Sequence, residues 1–142
     1  MLNMLRNDIN ERYGFRNGAA RINLGPCGRF AKSFHEQWNA RFREQVNIAF
    51  IMSNDGSNCH HVLIKLPDGH YFDGGNGVVT YDALMMLYPG SRIDEMKEFD
   101  LKLLDQRSYG LGRDYPECPN YTDDFTTKVI ERRLALLPRN KR

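Results

Sequence analysis

Asn23-Leu24-Gly25-Pro26-Cys27-Gly28-Arg29-Phe30-Ala31-Lys32-Ser33-Phe34-His35-Glu36-Gln37-Trp38 reads as a tight loop that runs into an amphipathic helix with a cysteine in its first turn. Gly25 frees the backbone, and Pro26, which has no N–H to lose, suits the first helical position. Cys27 then lies among N–H groups without helical partners, at the positive end of the dipole, and both effects lower a thiol's pKa. Phe30, Ala31, Phe34 and Trp38 recur at helical spacing and form a stripe that faces a core. A cysteine on such a stripe also packs as a small hydrophobe, so chemistry at Cys27 has to be argued from residues elsewhere in the chain.

Upstream, Leu2, Leu5, Ile9 and Tyr13 predict a short helix, and residues 14–26 a loop rich in turn-formers. The cysteine helix is predicted to end near Phe42. Downstream, Val46 to Met52 is short, apolar and largely β-branched or aromatic, which predicts a strand closed by the turn over 53–58. His61 to Leu66 and His70 to Asp73 flank Pro67-Asp68-Gly69, a strong hairpin signal. Gly74-Gly75-Asn76-Gly77 then interrupts the strand before Val78-Val79. Thr80 suits the N-cap of a helix Tyr81 to Tyr88 that stops at Pro89-Gly90. Phe99, Leu101 and Leu103 alternate with Asp100 and Lys102, which predicts a half-buried strand. Residues 105–121, with Tyr109, Tyr115 and Tyr121, read as a long irregular surface connection. The closing helix is capped near Thr122 and turns Phe125, Val129, Ile130, Leu134 and Leu137 to one side. Helix, helix, a cluster of strands and a last helix predict an α+β fold with an antiparallel sheet and extra N- and C-terminal helices.

At 142 residues, with no internal repeat, the chain is expected to form one domain over 1–142. Its 20 basic and 18 acidic side chains nearly cancel, to +2. The basic tail at 138–142 reads as a solvated end, and the absence of any nucleic-acid motif argues against a nucleic-acid partner. Three irregularly spaced cysteines, Cys27, Cys59 and Cys118, favour a reducing compartment over a disulfide framework. With neither an apolar leader core nor a run of about 18 apolar residues, the expectation is a soluble, cytoplasmic protein without a membrane partner.

Nucleophilic cysteine chemistry needs a low-pKa thiol, an imidazole to move the proton and a third group to orient the imidazole. Cys27, the pair His60-His61 and Asp73 supply candidates for all three. If Pro67-Asp68-Gly69 is a three-residue loop, Leu66 faces His70, Leu63 faces Asp73, and His61 lies diagonal to Asp73 on one face. A two-residue Asp68-Gly69 turn would shift the register and bring His60 to that face instead. That turn wants an N–H from Pro67, which has none, so His61 is the expected base and His60 the alternative. A zinc site built from Cys27, Cys59, His60, His61 and Cys118 lacks the usual paired-ligand spacing, and neither metal nor cofactor is expected.

Gly-Pro-Cys-Gly-x-Phe-Ala-x-x-Phe, followed by His-Val-x-Ile-x-Leu-Pro-Asp-Gly-x-Tyr-x-Asp, resembles the core of the papain-like cysteine peptidases. Within that superfamily it is most similar to small bacterial and phage proteins, and transglutaminase-like proteins share the Cys, His, Asp order. The resemblance spans about residues 23–75 and implies a helix bearing Cys27 packed on an antiparallel sheet bearing His61 and Asp73. It implies a cysteine-dependent peptidase, amidase or deamidase acting on an amide or thioester of a protein or peptide-like substrate. A transglutaminase-like acyl transferase and a catalytically inactive binding or inhibitory module are the alternatives. The family usually carries a glutamine before the cysteine as an oxyanion donor. None precedes Cys27, and Asn23 is the nearest amide for that role.

Overall fold

The computed structural model describes residues 1–108, 111 and 114–138. The basic tail beyond 138, and Tyr109 of the long connection, lie outside them. The fold is α+β. Helix α1 (Leu2–Tyr13) leads into a two-residue hairpin, β1 (Phe15–Arg16) and β2 (Ala19–Ala20), and a 3₁₀ turn (Arg21–Asn23) delivers the chain to α2 (Cys27–Arg41). Strands β3 (Asn47–Ser53), β4 (Cys59–Lys65), β5 (Tyr71–Asp73) and β6 (Gly77–Val79) follow, then α3 (Tyr81–Leu87), β7 (Ser91–Met96), α4 (Leu101–Arg107) and α5 (Asp123–Leu134). The five-stranded sheet is antiparallel in the order β6-β5-β4-β3-β7.

The uninterrupted apolar run of β3 is explained by its place at the middle of the sheet, buried on both faces. Ile48, Phe50, Val62, Ile64 and Phe72 join Leu5, Ile9, Phe30, Phe34 and Ile130 of the three long helices in the main core. On the opposite face, Ala49, Ile51, Leu63 and Tyr71 meet Leu84 of α3. Phe34 stacks on Trp38 and packs against Phe72 with ring centroids 5.0 Å apart. This aromatic contact ties the cysteine helix to the strand that ends in Asp73. Trp38 is only half-buried and spends its indole N–H on the Glu44 carbonyl at 2.8 Å. Among the described residues no helix is long and apolar enough to cross a membrane.

Four sequence expectations are corrected. The strand expected over Phe99, Leu101 and Leu103 is the start of α4, because the Asp100 carboxylate caps it by accepting from the Leu103 N–H at 3.1 Å. The buried residue there is Leu104, while Phe99 and Leu101 are exposed. The fifth strand lies earlier, at β7, a charged edge strand that pairs with β3. The loop over 14–26 contains a hairpin turned at Asn17 and Gly18, both at positive φ, as such a turn requires. Helix α2 starts one residue later than expected, with Pro26 as the cap whose carbonyl accepts from the Phe30 N–H at 3.0 Å. The connection after α4 is also less superficial than expected: Tyr115 is buried, and Tyr121 stacks on Tyr13 with centroids 5.6 Å apart.

Candidate active site

The hairpin has the three-residue form. Leu66 donates its N–H to the His70 carbonyl at 2.8 Å, and Ile64 and Lys65 face Phe72 and Tyr71. A bulge in β4 sharpens the choice of histidine. Ile51 faces His61 and Met52 faces Cys59, so His60 is the extra residue of the bulge and is turned out to solvent. His61 is left buried, with Nε2 2.9 Å from Asp73 Oδ2.

Asp73 is held from both oxygens. Oδ1 accepts from the Asn23 side-chain amide at 3.1 Å and from the Gly75 and Asn76 N–H groups at 2.9 and 2.6 Å. Oδ2 accepts from His61 Nε2–H and from the Asn76 side chain at 3.1 Å. The Asp-Gly-Gly-Asn stretch thus forms an Asx-type turn, a local sequence signal that marks Asn76 as part of the site. Gly75 is needed there, since a Cβ would overlap the Asn23 amide nitrogen and come 2.7 Å from Ala20 Cβ. The Asn23 Nδ2 gives one of its two N–H groups to Asp73, so Asn23 braces the carboxylate from the cleft wall.

These contacts set the charge state. Burial alone pushes the Asp73 pKa up, but the His61 charge and hydrogen bond, with the Asn76 N–H and the Asn23 amide, hold it below the ordinary carboxyl value. For His61 burial pushes down, and Asp73 with Cys27 lifts it well above the ordinary imidazole value. With Nε2 taken by Asp73, Nδ1 is the free ring nitrogen; it is buried and has no hydrogen-bond partner. Burial raises the Cys27 thiol, and the neighbouring His61, together with the Val62 backbone N–H, outweighs it to leave the thiol lowered. The other two thiols behave oppositely: burial pushes both Cys59 and Cys118 to about 11. Tyr88, just past α3, stacks on the His61 ring at 5.8 Å and closes its outer side.

Cys27 is half-buried and opens onto a cleft of about 330 Å³ whose walls include Asn23, Cys59, His61, Arg107 and Ser108. Arg107 and Ser108 end α4, a helix that sequence reasoning had read as strand and loop, so nothing local marked them as part of the site. A larger groove of about 840 Å³ runs between α2, α4 and α5 and contains none of Cys27, His61 or Asp73. Among the described residues no three histidine, cysteine or acidic side chains are grouped as metal ligands would be. In comparisons with known proteins, no family model, curated protein or solved structure matches the chain.

Proposed function

We propose that the protein is a cysteine-dependent hydrolase that acts on an amide or thioester of a protein or peptide-like substrate. The observation that carries this reading is the one lowered thiol set on the same open cleft as a buried imidazole, whose carboxylate partner is held by five donors. The order of these groups along the chain, and the helix start facing a strand, agree with what the papain-like resemblance implies.

In this mechanism the Cys27 sulfur attacks the substrate carbonyl carbon, and the carbonyl electron pair moves onto oxygen. The unpaired N–H groups at the start of α2 face that developing charge. His61 Nδ1 gives its proton to the departing amine or thiol, and the acyl group remains on sulfur as a thioester. Water, deprotonated by His61, then releases the acid and restores the pair. An amine taking the place of water would make the same site an acyl transferase. Asp73 keeps the Nε2 proton in place throughout, so that Nδ1 is the nitrogen that works on the sulfur.

The test is thiol selectivity. Near neutral pH iodoacetamide should label Cys27 much faster than Cys59 and Cys118, with the Cys27 rate rising through an inflection below the ordinary thiol value. Cys27→Ala should remain folded and lose all acylation by an activated ester. Equal, slow labelling of the three cysteines would overturn the reading.

A further inference from the structure

The Asn23 amide gives one N–H to Asp73 and so has at most one left for the cleft. Ser108 stands against the start of α2, on the wall of the same cleft. Its backbone N–H closes the last turn of α4 on the Leu104 carbonyl at 2.8 Å, which leaves the side chain free of any capping duty. The side chain leans over the first turn of α2: a Cβ added to Gly28 would overlap Ser108 Oγ and sit 2.9 Å from Ser108 Cβ. Ser108 Oγ is therefore packed against the residue that follows the nucleophile, on the wall of the cleft that Cys27 opens onto.

A second observation points to a ligand. Ser108 Oγ is buried and has no hydrogen-bond partner. Buried hydroxyls are nearly always paired, because leaving one unmade forfeits its hydration with no return. Asn23 Oδ1 is buried and unpartnered as well, and it lines the same cleft. Two residues on one cleft wall beside a nucleophile thus each carry a polar atom with no partner inside the protein, which leaves both available to a bound substrate.

We infer that Ser108 is a catalytic residue of the oxyanion site: its hydroxyl donates to the substrate carbonyl oxygen as that oxygen becomes negative, beside the N–H groups at the start of α2. This rests on the proposed nucleophilic role of Cys27. It also explains Gly28, because any side chain there would displace the Ser108 hydroxyl. The donor usually found before the cysteine is replaced by one that arrives from a later helix.

Two reagents separate this contribution from the reactivity of the thiol. With p-nitrophenyl acetate the Cys27 thiolate adds to the carbonyl carbon, an oxyanion forms, and its collapse expels p-nitrophenolate with the bonding pair to leave an acetyl thioester. With iodoacetamide the thiolate displaces iodide from a saturated carbon and no oxyanion arises. Ser108→Ala should slow acetylation of Cys27 by about 10²–10³-fold while alkylation keeps the wild-type rate. Gly28→Ala should produce the same selective loss. Acetylation unchanged in Ser108→Ala would overturn the inference and leave the triad intact. A parallel fall in both reactions would also overturn it, by showing that Ser108 supports the thiol and not the oxyanion. Failure of the underlying reading looks different: wild-type acetylation would then be no faster than that of Cys27→Ala.

Discussion

Asp73→Ala should lower the unfolding free energy by about 3–5 kcal/mol, the usual consequence of removing one member of a buried ionic pair. The substitution strands the His61 imidazolium, whose side chain is fully buried, together with the Gly75 and Asn76 N–H groups and the amides of Asn23 and Asn76. Urea unfolding measures the loss as a fall in midpoint at an unchanged slope. Asp73→Asn separates stability from chemistry. Its carbonyl oxygen can take the place of Oδ1 and satisfy three of the donors, so it should cost much less than the alanine. Its amide nitrogen, however, faces His61 Nε2 and forces that atom to accept. The ring proton must then sit on Nδ1, where it prevents the imidazole from taking the proton of Cys27. Reactivity of Cys27 should therefore fall steeply in a protein of nearly wild-type stability. An Asp73→Asn variant with full thiol reactivity would show that the carboxylate has no orienting role.

The pair also sets the pH range of stability. The folded-state pKa of Asp73 is depressed, so its contribution is present above the unfolded carboxyl value of about 3.9 and is lost as pH falls through the lower folded value. That of His61 is raised, so its contribution is fully present below about 6.5 and is lost as pH rises through the higher folded value. Stability due to the pair is accordingly greatest between about 3.9 and about 6.5 and declines on either side toward the folded-state values, and the alanine variant should have a flatter stability profile across that span.

His61→Ala should reduce acylation of Cys27 by about 10²–10⁴-fold, the range associated with loss of a positioned general acid–base. The sign of the accompanying pKa change follows from the opposing influences on the thiol. Burial pushes Cys27 up, whereas the neighbouring His61 pulls it down. Without the ring the first remains and the main counterweight is gone, so the Cys27 thiol should rise, the direction in which burial moves Cys59 and Cys118. Labelling by iodoacetamide at neutral pH would lose its selectivity, and the inflection in the rate would move to higher pH. His60→Ala provides the control. His60 is exposed on the bulge at the cleft wall and is not among the donors that hold Asp73, so selectivity should be retained. If His60→Ala removed the reactivity and His61→Ala did not, the assignment of the base would be reversed.

Much of this site was legible because its determinants are local. Pro67 has no N–H, which selects the three-residue turn, and that turn alone fixes which residues of the hairpin can share a face. Helix α2 was legible from the same kind of signal, a proline at its start and an aromatic stripe along one side. The misreading at 99–103 shows the limit of periodicity. Over five residues the alternation of Phe99, Leu101 and Leu103 fits a strand as well as it fits nothing, and the Asp100 carboxylate on the Leu103 N–H decides for helix. Strand β7 was missed because its charged alternation suits an exposed edge, and only pairing with β3 makes it a strand.

By itself, then, the amino-acid sequence determined the nucleophile's helix, the hairpin register and the pairing of His61 with Asp73, since each depends on backbone freedom, missing donors or the two-residue period of a strand. The tertiary structure decided the rest. It committed Asn23 to Asp73, turned His60 outward through a bulge, set Tyr88 on the His61 ring and laid Ser108 over Gly28. None of these has a local signature, because each arises where segments far apart in the chain compete for the same space, and packing resolves that competition only when the whole core has formed.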